Sequence, residues 1–136
     1  MPSHLKAVID RIIPLSKMSM KETNGVVSHD TIFDLSKKRY VVISGCGFPN
    51  WNGNFDALKI QMHNLFHYNL TTICIPETPM LNVEEAKPLS EPLLNKFVNA
   101  GRIYNKDLEL SEEVIKDLEV PMLPNEVCIQ IVNSQK

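Results

Sequence analysis

The sequence predicts an α/β domain built around a parallel sheet, and three observations support this. Tyr40–Ile43 is a short apolar and β-branched run, typical of a strand that helices cover on both faces. The run stops at a glycine-rich turn, and apolar residues at helical spacing follow it. A second run of strand composition extends from Leu70 to Pro76. Strand, helix and strand in this order predict one right-handed βαβ unit with parallel strands.

Length and composition fit a single domain, residues 1–136, and exclude several classes of partner. With 43% hydrophobic and 22% charged residues, the chain is long enough for one core. No apolar run approaches the roughly 20 residues of a membrane-spanning helix. A net charge of −2 and scattered Lys and Arg argue against nucleic acid as a partner. Three cysteines without CxxC spacing, and no signal peptide, predict a cytoplasmic location.

The N-terminal part is predicted to contain a helix and an extended segment. Apolar residues recur at helical spacing from Leu5 to Ile13, Ser3 can cap the first turn, and the helix should end near Pro14. Asn24–Gly25 lies between alternating polar and apolar residues, which favours a β-hairpin or an extended excursion. Because an α/β domain normally opens with a strand, a chain that opens with a helix predicts a fold incomplete at its N-terminus.

Helical patterns occupy most of the chain after the glycine turn. Asn54 is the predicted cap of a helix whose apolar face comprises Phe55, Leu58, Met62, Leu65 and Phe66. The next helix should begin near Ser90 and Pro92, with an apolar face of Leu93, Leu94, Phe97, Val98 and Gly101. Ser111 is predicted to cap another helix, with acidic residues in its first turn. The segment 125–132 fits a short helix and a strand equally well.

The glycine turn, Ser44–Gly47, lies between a predicted strand and a predicted helix, a position that both phosphate-binding loops and cysteine active sites occupy. A phosphate-binding loop is disfavoured because the dinucleotide fingerprint needs glycine where Asn50 stands, and no GK[ST] motif follows. Cys46 has the position of a nucleophile, after a strand and before a helix, but the neighbouring sequence supplies no base or Arg. A tight strand-to-helix turn that needs glycine dihedrals is favoured over both.

His63 and His67 have the four-residue spacing of paired metal ligands on a helix. A helical wheel places both away from the face that holds Met62 and Phe66. No carboxylate or cysteine accompanies them in the sequence. A solvated or subunit-contact face is therefore favoured over a metal site.

Several stretches together resemble the flavodoxin-like NAD(P)H-dependent FMN reductase family. "MPSHLKAVIDRIIPL" is similar to the helix after that family's third strand. "VVISGCGF" with "NFDAL" is similar to the fourth strand, its cofactor-facing turn and the next helix. "LTTICIPET" resembles the fifth strand, and "NKFVNAGRIY" with "LSEEVIKDLEVPMLPNEV" resembles the C-terminal helices of multimeric members. The resemblance covers nearly the whole chain and rests on the order and spacing of these stretches.

The resemblance implies a flavodoxin-like three-layer sandwich, of which this chain holds the C-terminal part. It also implies an oxidoreductase that passes electrons from NAD(P)H through FMN to a small acceptor. The implied cofactor-binding residues are Ser44, Gly45, Cys46 and Gly47 against the flavin ring, with Met1 and Pro2 at its margin. No catalytic acid or base is predicted. Because the family's phosphate-wrapping first loop and aromatic third loop are absent, we expect weak or no FMN binding by the chain alone.

The resemblance also predicts partners. In the family's strand order the fourth strand lies between the third and the fifth, so the apolar edge of Tyr40–Ser44 would be bare without a third strand. We expect a homo-oligomer, with two such strands paired across a two-fold axis, or a separately encoded N-terminal half. The alternatives are a non-enzymatic oligomeric remnant or interaction module that has lost the cofactor, and a truncated reading frame whose product has no independent role.

Overall fold

The computed structural model describes residues 3–11, 13–23, 25–34, 37–50, 52–66 and 69–134. The chain divides into two compact units, Met1–Lys38 and Arg39–Lys136. The first contains a helix and a hairpin, and the second contains the parallel sheet. Within the described ranges, no helix is long and apolar enough to cross a membrane.

The first unit confirms the predicted helix and selects the hairpin from the two predicted alternatives. Its elements are α1 (Ser3–Asp10), a 3-10 turn (Ile13–Leu15), β1 (Ser16–Thr23) and β2 (Val26–Thr31). The two strands pair antiparallel, with Thr23 opposite Val26. Gly25 in the turn has φ of 78°, a conformation that glycine adopts without strain. Asn24, the other predicted turn residue, lies outside the described residues.

One face of the hairpin carries a small polar network. Asp30 accepts a hydrogen bond from the Ser19 hydroxyl at 3.0 Å and pairs with the Lys21 amine at 3.2 Å. The Lys21 and Ser19 donors hold the pKa of Asp30 below its ordinary 3.8. Met18 and Met20 of β1 are 93% and 66% exposed. No described residue of this unit is buried, so the described residues here form no core.

The second unit confirms the predicted α/β class and its parallel sheet. β3 (Tyr40–Gly45) and β4 (Leu70–Ile75) pair in parallel, with Tyr40 opposite Leu70 and Gly45 opposite Ile75. α2 (Asp56–Phe66) connects the two strands, as the sequence pattern predicts. In the described part of the chain this sheet has only these two strands.

Helices lie on both faces of the sheet. On one face the ring of Phe66 in α2 stacks on Tyr40, with centroids 4.2 Å apart. On the other face lie α3 (Lys87–Asp107) and α4 (Glu112–Leu118). The core on that side comprises Ile73, Ile75, Leu93, Ala100 and Leu118. Successive side chains of a strand point to opposite faces, so each strand contributes to both layers.

The coverage of β3 differs from the prediction. Val41 and Ile43 are 43% and 56% exposed, although Ile73, the register partner of Ile43, is only 3% exposed. The prediction that helices cover both faces of Tyr40–Ile43 is therefore wrong. The reason is that the core helices on this face pack over β4 and leave β3 open.

The apolar face predicted for α3 is also corrected. The helix begins at Lys87, earlier than predicted, with Pro88 in its first turn and Pro92 inside it. Leu93 and Ala100 are buried, whereas Leu94 and Val98 are 48% and 53% exposed. Only the stripe that meets β4 and α4 is covered, and periodicity alone could not select it from the two adjacent apolar stripes.

The C-terminal elements follow the sequence signals more closely. The Ser111 hydroxyl accepts a hydrogen bond from the Val114 amide at 3.3 Å, which confirms the predicted cap of α4. α5 (Asn125–Ser134) shows that the last segment is a helix, not a strand. The amides of Val127 and Cys128 both donate to the carbonyl of Pro124, which starts the helix.

Candidate functional site

The candidate site lies where the two parallel strands end. The amide of Cys46, just after β3, donates to the carbonyl of Ile75 at 3.0 Å. The amide of Thr78 donates to the carbonyl of Cys46 at 2.9 Å. The amide of Glu77 donates to the carbonyl of Phe48 at 3.1 Å. These bonds fix the two turns to each other at the edge where open α/β sheets bind ligands.

The structure brings four of the six predicted cofactor-binding residues together at this edge. Ser44 and Gly45 end β3, and Cys46 and Gly47 follow directly. Met1 and Pro2, the predicted margin, lie outside the described residues.

The backbone of these four residues is not all free to meet a ligand. The amide and the carbonyl of Cys46 both bond within the chain. Alternate residues of a parallel strand bond to the same neighbour, so Ser44 also directs its amide to β4. Gly45 directs its amide to the open edge, and the amide of Gly47 has no partner among the described residues.

Gly45 is required by packing against the second turn. A Cβ at this position would lie 2.7 Å from Thr78 Oγ1 and 2.9 Å from Thr78 Cβ, and closer still to Cγ2. Thr78 cannot withdraw easily, because its amide and its hydroxyl both bond to the Cys46 carbonyl. The absence of a side chain at Gly45 therefore serves contact between the two turns.

Gly47 and Phe48 form the open part of the site. A Cβ at Gly47 would meet only Pro79 Cγ, at an ordinary 3.7 Å. The Phe48 side chain is 64% exposed beside it. A bare backbone next to an exposed aromatic ring is a surface on which a planar ligand can rest. The sequence analysis did not single out Phe48, and its only signal was an aromatic residue directly after a glycine turn.

The cysteines differ in their surroundings. The Cys46 thiol is half-buried and donates to the Phe48 carbonyl, with 3.6 Å between sulfur and oxygen. Burial raises the pKa of the Cys74 thiol to about 11. Burial also raises the pKa of the Cys128 thiol, and the nearby Glu77 carboxylate adds to the rise. Cys74 and Cys128 therefore hold their protons at neutral pH and are poor nucleophiles there.

Glu77 is the most constrained residue at this edge, and no sequence signal pointed to it. The residue is 1% exposed and has a left-handed backbone, with φ of 56°. Its Oε2 accepts from the amides of Met122 and Leu123, at 2.6 and 3.1 Å. Its Oε1 is buried and meets no donor in hydrogen-bonding geometry within the described ranges.

A second carboxylate, that of Glu119, bonds to the outer edge of β4. Its Oε1 accepts from the Cys74 amide at 2.8 Å and lies 3.9 Å from the Lys59 amine. It therefore caps the side of β4 that faces away from β3. Unlike Glu77, it bonds within the described residues to β4 and to Lys59 of α2, and not to either turn of the site.

Two other places were candidates for chemistry. Where the structure describes the chain, no three His, Cys, Asp or Glu side chains are grouped to hold a metal ion, and His67 is not among the described residues. A shallow groove of about 310 Å³ lies between α3 and α4, with the Lys96–Asp117 ion pair in its lining. Neither adds a reactive group to the sheet edge.

Comparison of the chain with protein-family models, with curated proteins and with solved structures gave no match. The geometry at the sheet edge is therefore the basis for a proposal about function.

Proposed function

We propose that this chain forms part of a flavodoxin-like NAD(P)H-dependent FMN reductase, in which the turn at Ser44–Gly47 contacts one side of the flavin ring. When bound, FMN supplies the redox chemistry: NAD(P)H is oxidised to NAD(P)⁺, and its two electrons reach a small acceptor such as a quinone, a free flavin or an aromatic compound. The observation that carries the proposal is the exposed Gly47–Phe48 surface at the carboxyl ends of two parallel strands.

The surface suits a flat ring better than a phosphate. The open Gly47 backbone and the Phe48 ring allow close approach of a planar group, and the Gly47 amide, which bonds to no described residue, can donate to a ring heteroatom. Neither turn contains Lys or Arg, since residues 44–50 read SGCGFPN and residues 76–80 read PETPM. The described turns thus fit one side of the ring and offer no cation to the phosphate.

The free edge of β3 supports the proposal that another chain completes the site. Val41, Ile43 and Gly45 direct their backbone groups away from β4, and no described strand pairs with them. This edge carries no Lys, Pro or bulge, the devices that normally prevent edge pairing. A second copy of the chain or a separately encoded N-terminal half would pair here, and the N-terminal half would also bring the phosphate-binding residues.

Binding of the flavin ring is tested by titrating the purified protein with riboflavin and with FMN and monitoring flavin fluorescence. Because the described turns offer nothing to the phosphate, both ligands should bind weakly and equally. Phe48→Ala should weaken both, whereas Phe33→Ala, at a residue of similar exposure in the first unit, should not. No binding of riboflavin up to its solubility limit, or submicromolar binding of FMN, would contradict the proposal.

The test for the partner is the mass in solution, measured by light scattering after size exclusion. The wild-type chain should exceed one copy at micromolar concentration. Ile43→Lys should give a monomer because it places a charge on the free edge. Ile60→Lys, at a residue 61% exposed on α2, is the matched control and should leave the mass unchanged. A monodisperse wild-type monomer would argue against self-association.

The second candidate function is an oligomeric interaction module without a cofactor. The observation in its favour is the combination of the bare β3 edge with the exposed Val41 and Ile43 side chains, since apolar exposure of this kind marks contact surfaces. An oligomer that Ile43→Lys dissociates, but that binds no riboflavin, would favour this function over the first.

A further inference from the structure

We infer that Glu77 is a positioning residue, which couples the segment before α5 to the turn that faces the proposed flavin. The inference rests on the proposed function for the identity of the ligand, but the coupling itself is a property of the chain. The evidence is that Glu77 contacts three separate segments. Its backbone amide bonds to the turn at Phe48, and its buried carboxylate contacts the loop at 122–123 and Cys128 in α5.

Glu77 joins these segments through short contacts. Its amide holds the Phe48 carbonyl in the first turn, at 3.1 Å. Its Oε2 holds the amides of Met122 and Leu123, which precede α5, at 2.6 and 3.1 Å. Within α5, Cys128 lies close enough for the carboxylate to interact with its thiol. Any displacement of the loop at 122–123 therefore acts on the residue that fixes the Phe48 carbonyl.

The conformation of Glu77 is unfavourable in three ways. A non-glycine residue at φ of 56° is strained, because its Cβ crowds the backbone. A carboxylate at 1% exposure has lost most of its hydration. Its Oε1 is buried and meets no donor in hydrogen-bonding geometry in the described part of the chain, although the Cys128 thiol lies near the carboxylate. Strain and unsatisfied buried groups concentrate at functional sites, where the surrounding structure imposes them.

Two roles for Glu77 can be separated by substitution. If the residue only supplies a left-handed turn, Glu77→Gly should increase the stability of the chain, because glycine adopts this conformation without strain. If the carboxylate positions the turn, Glu77→Gly should loosen both segments. Glu77→Gln keeps an oxygen acceptor without the charge, and should rescue part of the effect.

The experiment is residue-resolved amide hydrogen exchange on the full chain. In Glu77→Gly, the amides of Met122 and Leu123 should exchange on the order of tenfold faster or more, since each loses a hydrogen bond to a charged acceptor. The Thr78 amide, which bonds to Cys46 and not to the substituted side chain, should also exchange faster. Glu77→Gln should give smaller changes at the same amides.

Glu119→Gln is the matched control, because Glu119 also accepts a hydrogen bond from a backbone amide of this unit. It should speed exchange at Cys74 and leave Thr78, Met122 and Leu123 unchanged. Unaltered exchange at Thr78 in Glu77→Gly would overturn the inference, since Glu77 would then tie only the loop before α5. Wild-type protection in Glu77→Gly, or a uniform rise that includes Ile73 and Ala100, would overturn it as well.

A riboflavin titration of the same variants separates this inference from the proposed function. Weaker binding in Glu77→Gly, with unchanged binding in Glu119→Gln, supports both. Riboflavin that binds Glu77→Gly as well as the wild type overturns the link between Glu77 and the ligand. A wild-type chain that binds no riboflavin refutes the flavin proposal, and the exchange at Thr78 still decides whether Glu77 positions the turn.

Discussion

Gly45→Ala should destabilise the second unit by clashing with Thr78. The new methyl group would lie 2.7 Å from Oγ1 and 2.9 Å from Cβ of Thr78, well inside van der Waals contact, with Cγ2 nearer still. Thr78 is fixed through its amide and its hydroxyl to the Cys46 carbonyl, so one of the two turns must move. Overpacking of this kind costs about 1–3 kcal/mol.

The assay is urea denaturation of the full chain, followed by circular dichroism. Gly47→Ala is the internal control: its Cβ would meet only Pro79 Cγ at 3.7 Å, so its cost should stay below about 0.5 kcal/mol. Adding Thr78→Ala to Gly45→Ala removes the Oγ1 and Cγ2 clashes and should recover part of the loss. Equal stability of the two alanine variants, or no recovery in the double variant, would refute the packing argument.

Three further predictions concern single groups. Cys74 should resist iodoacetamide at pH 8 while the chain is folded, because a thiol with a pKa of about 11 is ionised in only about one molecule in a thousand at that pH. Peptide mass mapping measures this modification. All three cysteines should react once the chain is unfolded in guanidinium. Lys21→Met should raise the pKa of Asp30 toward 3.8, measured by NMR titration. Because folding lowers this pKa, the contribution of Asp30 to the hairpin is present above pH 3.8 and lost as the pH falls through the lowered value; an unchanged titration in Lys21→Met would contradict this. Ser111→Ala should cost about 1 kcal/mol by leaving the Val114 amide uncapped, whereas Ser134→Ala, at the end of α5, should cost less; equal losses would contradict the capping role.

Local signals in the sequence predicted most of the elements of the structure. The β-branched runs at 40–43 and 70–76, the helical spacing between them and the cap at Ser111 all act within a few residues, and each confirmed element depends on such a signal. The hairpin at Gly25 likewise follows from a turn that only a few residue types adopt.

The candidate site was predicted only in its position. The glycine turn correctly indicated the carboxyl ends of the strands, but Gly45 proved to make room for Thr78, which is 33 residues away in the sequence. Phe48 was not singled out because one exposed aromatic residue has no periodic pattern. Glu77 was missed because its partners, Met122 and Leu123, are 45 residues or more away.

By itself, the sequence determined the class of the second unit and the order of its elements, because composition, periodicity and turn chemistry are local properties of the chain. The tertiary structure alone decided which stripe of α3 is buried, that Val41 and Ile43 remain exposed, and that Glu77 lies between two distant segments. These features depend on which surfaces meet after the chain has folded. Contacts between remote residues leave no regular pattern in a single sequence, so they can be read only from the arrangement in space.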